Sequence, residues 1–432
     1  MGAFASMFRS GIRSNVAQTF ATNVCLTGIG FVNSMFLARW LGSAGRGELA
    51  ATFLWPTLLI YLCAFGLIPA VAYHAALPDS SPGKVAGSAF SCAVWQGAAA
   101  LAGGYILIPL LLHSQSRQVI ADSRLYLWVV PLIIVSQYGQ AVLQGRLHFK
   151  HLNGLRAVVP AGYLLGTLVL HQAGLLSARN IVFLHITLQV LVAILTIRVS
   201  RGLGFLDGLG MDRGVVKKLL GYGGKVYAGE VTSTANLRLD QILMAALFPP
   251  EMLGVYVVAV SSASIPEMFA SAVRMVSSAK IAAVATPEAR REQLVSTFRK
   301  YIAISLPGIL LMALVLPFAI PLVFGREFEA AIVPAEVLLV GSLLLGIRGV
   351  LAGGAQALGD PWIGSKAEVC SLPVTSALLL LLMPKFGILG AAIASVLSYA
   401  TQVAVIAAGL RRHGVAWDRK AWSAFGRFEE HP

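Results

Sequence analysis

The chain has 432 residues, 57% hydrophobic and 12% charged, with a mean hydropathy of +0.77 and a formal net charge of +14. A soluble domain is about a quarter charged, so a water-soluble globule is excluded. In lipid only helices or closed barrels satisfy every backbone group, and the period-2 alternation of barrel strands is missing, which leaves an all-α polytopic bundle.

Runs of membrane-spanning length, about 20 apolar residues each, fall in chain order at 16–38, 49–76, 86–112, 119–143, 157–175, 180–197, 226–248, 253–283, 301–323, 332–358, 364–383 and 386–410. They predict twelve transmembrane helices. Arg9 and Arg13 precede a first run too long for the core of a cleaved signal, so that span is expected to stay as an anchor. Counting connections alternately, 22 of the Lys and Arg residues lie on the side of the termini and 7 on the other. The remaining four, Arg238, Arg274, Lys280 and Arg348, fall inside spans. By the positive-inside rule both termini are expected in the cytoplasm, and membrane topology accounts for the positive charge better than nucleic acid does. The longest polar interior stretch, 198–225, is rich in Gly and basic residues and divides the spans six and six. The expected organisation is an N-terminal lobe at 1–198, a cytoplasmic linker at 199–225, a C-terminal lobe at 226–410 and a basic, aromatic tail at 411–432. An even number of spans per half makes any internal repeat parallel, about an axis along the membrane normal. The tail reads as an interfacial helix on anionic lipid.

Ionisable side chains inside a membrane face a cavity or a partner because exposure to lipid costs several kcal/mol. In the first span Asn15, Gln18 and Asn23 form a polar side. In the seventh, Glu230, Thr234, Arg238 and Gln241 share one helical stripe, with Asp240 on an adjoining one. Arg238 falls about 18 Å in from Val226, near the midplane. Glu267 and Arg274 share a face in the eighth span, and Arg348 sits midway along the tenth. Arg238, Arg274 and Arg348 are candidates to bind a phosphate group through the planar guanidinium fork. The alternative for each is an internal ion pair, such as Arg274 with Glu267. Asp240, Glu230 and Glu267 are candidates to carry a coupling ion, H⁺ or Na⁺, or else are structural carboxylates. Lys280 reads as a snorkelling residue. Gly83/Gly87 and Gly349/Gly353 have the spacing of close helix contacts. The His148/His151 pair lacks further nearby ligands for a metal. Cys25, Cys63, Cys92 and Cys370 are scattered singly and form no disulfide framework.

Three segments carry a family resemblance. ARWLGSAGRGELA after the first span resembles the A-R-x-L-G-x-x-G-x-G turn of polysaccharide exporters and oligosaccharide flippases. LDQILMAALFPPEMLGVYVVA in the seventh and eighth spans is similar to their L-D…G-x-Y segment, and FGILGAAIASVLSYATQV at 386–403 to their G-x-x-G-A-A-x-A-[ST] motif. Together they resemble the polysaccharide branch of the multidrug/oligosaccharidyl-lipid/polysaccharide exporter superfamily. Glu48 departs from that pattern, and the chain is near the short end for the family. The resemblance implies two six-helix lobes around a central cavity, and the polar residues within the spans, Arg238, Arg348, Arg274, Gln241, Asn15, Gln18 and Asn23, are the candidates to bind substrate there. It implies a flippase of the bacterial inner membrane that moves a polyprenyl-diphosphate-linked oligosaccharide by alternating access. The expected partners are that lipid-linked oligosaccharide, membrane lipids, and the polymerase and glycosyltransferases of the pathway, with no nucleic acid and no cofactor. A multidrug-type cation antiporter shares the plan but needs carboxylates in its cavity. A membrane glycosyltransferase or polymerase would need a long outer loop with catalytic groups, and the outer connections here are short.

Overall fold

The computed structural model describes residues 2–266, 284, 286–360 and 362–415. Among these, all regular structure is helical. The helices are α1 (Gly2–Ala64), α2 (Leu67–Ala76), α3 (Pro82–Leu111), α4 (Arg117–Tyr126), α5 (Val129–Gly145), α6 (Phe149–Gln172), α7 (Ala178–Gly202), α8 (Arg213–Leu247), α9 (Pro250–Ala263), α10 (Pro287–Val323), α11 (Ile332–Ala357) and α12 (Trp362–Arg412), with a 3-10 turn at Arg326–Ala331. Among the described residues, eight helical stretches are long and apolar enough to cross a membrane. Two of them, Ala21–Ala64 and α12, have 44 and 51 residues and are long enough to cross twice. Each bends at one glycine, Gly42 (φ 71°) and Gly387 (φ 55°), a left-handed conformation that only glycine adopts without strain. Those stretches account for ten of the twelve expected spans. The eleventh is α8, whose apolar part carries Glu230, Arg238 and Asp240. The twelfth begins with α9, and its remainder, with Glu267, Arg274 and Lys280, lies outside the described residues, as does the tail beyond 415.

Contacts separate two compact units: Met1–Val258 with Pro321–Glu329, and Ala259–Ile320 with Ala330–Pro432. In the first, Leu37, Leu49, Tyr126, Val129, Ile181 and Val182 form a buried cluster. The core of the second includes Leu294, Tyr301, Val350, Leu351, Ile406 and Leu410. Outside these cores, large apolar side chains stand open. On α10, Leu314, Phe318 and Leu322 recur every four residues and are 72%, 78% and 73% exposed. Such a face is costly in water and costs nothing in hydrocarbon, so it marks a lipid-facing surface on a multi-pass membrane protein.

Glycines set the closest approaches in the first unit. A Cβ on Gly47 would lie 1.7 Å from the Pro250 carbonyl oxygen, and one on Gly254 would lie 2.0 Å from that of Ser43. The second limb of α1 and the start of α9 therefore touch backbone to backbone, through the glycines of two of the motif-bearing segments. At the other end of α8, a Cβ on Gly223 would come within 2.6 Å of the Phe65 carbonyl oxygen, so α8 leans there on the turn between α1 and α2. The basic stretch 198–225 is largely helical, because α7 runs to Gly202 and α8 starts at Arg213. The short connection between them lies on the start of α3. Gly83 and Gly87 meet the backbone of Asp207 and Gly210, so their close contact is with this connection rather than with a helix. Ser88 donates to the Asp212 carbonyl (3.4 Å) and accepts from the Asp212 N–H (3.1 Å). Asp212 then caps α8, its Oδ1 accepting from the N–H groups of Gly214 and Val215 at 2.8 and 3.2 Å.

Candidate functional site

The first unit holds an open cavity of about 390 Å³ between the second limb of α1 and α8. Arg46, Ala50, Phe53, Leu54, Thr57, Leu58 and Tyr61 line one wall, and Thr234, Leu237, Arg238 and Gln241 the other. Both sets follow the three- and four-residue spacing of a single helix face. Arg238 Nη1 donates to Gln241 Oε1 at 3.0 Å, and Arg46 Nη2 donates to Ser34 Oγ at 3.2 Å. Among the described residues neither guanidinium has a carboxylate within ion-pair distance. The nearest acid along α8, Asp240, is buried outside the lining. Its Oδ2 accepts from the Tyr256 hydroxyl at 2.5 Å and its Oδ1 from the Gln241 N–H at 2.7 Å. Two positive charges thus face one chamber, Arg46 half-buried in its wall and Arg238 exposed on it. The volume falls in the range of small-ligand sites.

The expected stripe on α8 is therefore largely real: Thr234, Arg238 and Gln241 line the chamber, and Glu230 lies half-buried two turns from Arg238. On α1, Gln18 and Asn23 are exposed and do not line it, and the side chain of Asn15 lies outside the described set. Arg274 and Glu267 lie outside it as well. Arg348 is in the second unit and is ion-paired with Glu368. Its Nη1 also donates to Gln402 Oε1 at 3.2 Å, and Gln402 Nε2 donates to Ser371 Oγ at 2.9 Å. A bonded pair of hydroxyls, Thr375 and Ser398, continues this buried network between α11 and α12.

Sequence reasoning assigned Arg46 to an outer connection. The chain turns on Gly42 alone and resumes its helix at once, which brings Arg46 into the lining. The spacing of Arg46, Ala50, Thr57 and Tyr61 on one face was the available signal. A second chamber of about 310 Å³ in the same unit also went unread. Ser136, Gln137 and Gln140 of α5, Arg156 of α6 and Gln189 of α7 line it. The Oε1 of Gln137 is buried there without a hydrogen-bond partner.

The chain matches the family described as "Polysaccharide biosynthesis protein" over residues 36–333, well over half its length. It belongs to that family. No curated protein sequence matches it significantly. Among solved structures, it is similar to the lipid II flippase MurJ in an inward closed conformation, with a TM-score of 0.76 and 14% identity over 94% of this chain and 89% of that one. It is similar to an inward-facing multidrug resistance MATE family transporter of the MOP superfamily, with a TM-score of 0.72 and 12% identity over 93% and 96%. It also resembles a MOP superfamily transporter from Pyrococcus furiosus, described by a binding pocket of reverse polarity, with a TM-score of 0.60 and 12% identity over 93% and 95%. At these identities the likeness is one of fold, and that fold is the one expected from the three motifs.

Proposed function

We propose that this protein is a flippase that carries a polyprenyl-diphosphate-linked oligosaccharide across the bacterial inner membrane by alternating access, with both termini in the cytoplasm. The observation that carries the reading is the chamber shared by Arg46 and Arg238 without a carboxylate. A diphosphate offers several anionic oxygens, and guanidinium groups pair with them bidentately. A cationic drug would need the opposite polarity. The glutamine-lined chamber supports a hydroxyl-bearing cargo, since each amide both donates and accepts as sugar hydroxyls do. The reading makes the protein a transporter without a catalytic step or cofactor. It acts with the polymerase and glycosyltransferases of one pathway and binds no nucleic acid.

Arg46→Ala and Arg238→Ala each abolish polysaccharide export at normal protein level, and Lys at either position restores it partly, because a point charge lacks the fork. Undiminished export from the double Ala variant would remove the chamber from the mechanism. Coupling to H⁺ or Na⁺ through Asp240 or Glu230 is the driving step in this reading. In vesicles with an imposed gradient of lipid-linked oligosaccharide, the rate then depends on the pH or Na⁺ gradient and falls in Asp240→Asn. A rate indifferent to all three would make the protein a facilitator.

A further inference from the structure

The second unit holds a separate cavity of about 270 Å³ at the ends of the two limbs of α12. Lys366 stands on the first limb, and Arg412 and His413 on and just after the second. Its apolar wall comes from Ile363 and Val405. Gly409 brings the limbs together there, because a Cβ at that position would lie 2.8 Å from Ile363 Cγ2. Val405, Gly409 and Arg412 follow i, i+4, i+7 on one helical face.

Asp360 also lines the cavity, but its carboxylate is already engaged. His413 Nε2 is 3.1 Å from Asp360 Oδ2, and the Trp362 N–H donates to Asp360 Oδ1 at 3.1 Å. Among the described residues, Lys366 and Arg412 make no ion pair. Trp362, Lys366 and Val369 form a second i, i+4, i+7 face, on which Trp362 is 69% and Val369 57% exposed. One surface therefore runs from an aromatic ring through an ammonium to open apolar side chains. Aromatic and basic groups belong at the headgroup level of a leaflet and open apolar side chains in the hydrocarbon beyond it. The surface lies at the ends of the last two spans, on the side that holds the excess of basic residues.

We propose that this cavity binds the phosphate of an anionic phospholipid, with Lys366 and Arg412 on the headgroup and the acyl chain along Ile363, Val405 and Val369. The site is independent of the chamber between α1 and α8. Native mass spectrometry of the purified full-length chain titrated with phosphatidylglycerol or phosphatidylethanolamine tests it. Wild type retains phosphatidylglycerol in preference to phosphatidylethanolamine. Lys366→Gln/Arg412→Gln weakens that retention by about tenfold or more, as expected for two interfacial cations, and Lys366→Arg/Arg412→Lys preserves it. Lys217→Gln/Lys218→Gln removes two charges from α8 and leaves retention unchanged. The proposal is overturned if the first pair of substitutions has no effect, or if the α8 pair weakens retention equally. Displacement of the lipid by millimolar inorganic phosphate would also overturn it, in favour of a free-anion site.

Discussion

Arg238 and Arg348 fall inside expected spans and Arg46 lines the same chamber as Arg238, but their surroundings divide these guanidinium groups into two kinds. Arg348 and Glu368 neutralise each other, with side chains only 24% and 10% exposed. Removing one partner of such a pair strands the other, whereas replacing both by apolar groups of similar size avoids the charge altogether. Glu368→Gln therefore lowers stability by about 3 kcal/mol, and Arg348→Met/Glu368→Met recovers most of that loss, read by thermal unfolding in detergent. If Glu368→Gln melts like wild type, the pair is not structural. The sequence exposed Arg348 as an intramembrane charge, but its partner lies twenty residues on in the next helix, and only packing joins them. Arg238 was legible with Thr234 and Gln241 because a helical stripe can be read by spacing. Arg46 was not, since a turn made by one residue leaves almost no polar segment to mark it.

At the level of elements, the apolar runs located the spans well, since membrane thickness sets their length independently of packing. Their junctions were harder to read. Gly42 and Gly387 each turn the chain without a loop, so two helical spans follow one another with a single non-helical residue between them. The basic stretch after α7 read as a linker, yet most of it is helix, with its short non-helical part laid on Gly83 and Gly87. Compositional polarity marks the level of the membrane surface, not the end of a helix. Contacts that exclude even a methyl group are stricter than any motif. Gly47→Ala or Gly254→Ala pushes α1 and α9 apart and costs about 2 kcal/mol, the usual penalty for overpacking. Gly229→Ala in α8 meets no atom within 4 Å and is neutral or slightly stabilising, as Gly→Ala is inside a helix. Melting curves of the three variants test this, and equal behaviour of all three would mean that the α1–α9 contact is not close.

For the whole molecule, orientation rests on the distribution of 22 basic residues against 7. Reporter fusions at residue 210 and at the C-terminus are active as cytoplasmic reporters and silent as periplasmic ones. Periplasmic activity at either site would invert the topology. The connection at 203–212 anchors the start of α8. Ser88 and Asp212 fasten the foot of α8, and Gly223 rests on the turn at Phe65. Beyond that rest α8 is held again at its far end, where Ser114 and Gln115 donate to the Ala245 carbonyl and the Tyr256 hydroxyl donates to Asp240. Arg238 stands fifteen residues further along, about 22 Å at the helical rise. A tilt of about 10° at Gly223 that broke those far bonds would carry the guanidinium roughly 4 Å, by the same rise, while the foot stayed in place. That stroke exceeds the tolerance of a hydrogen bond, so under the proposed function a rocking of α8 that frees Ala245 and Asp240 would also free a phosphate held by Arg238.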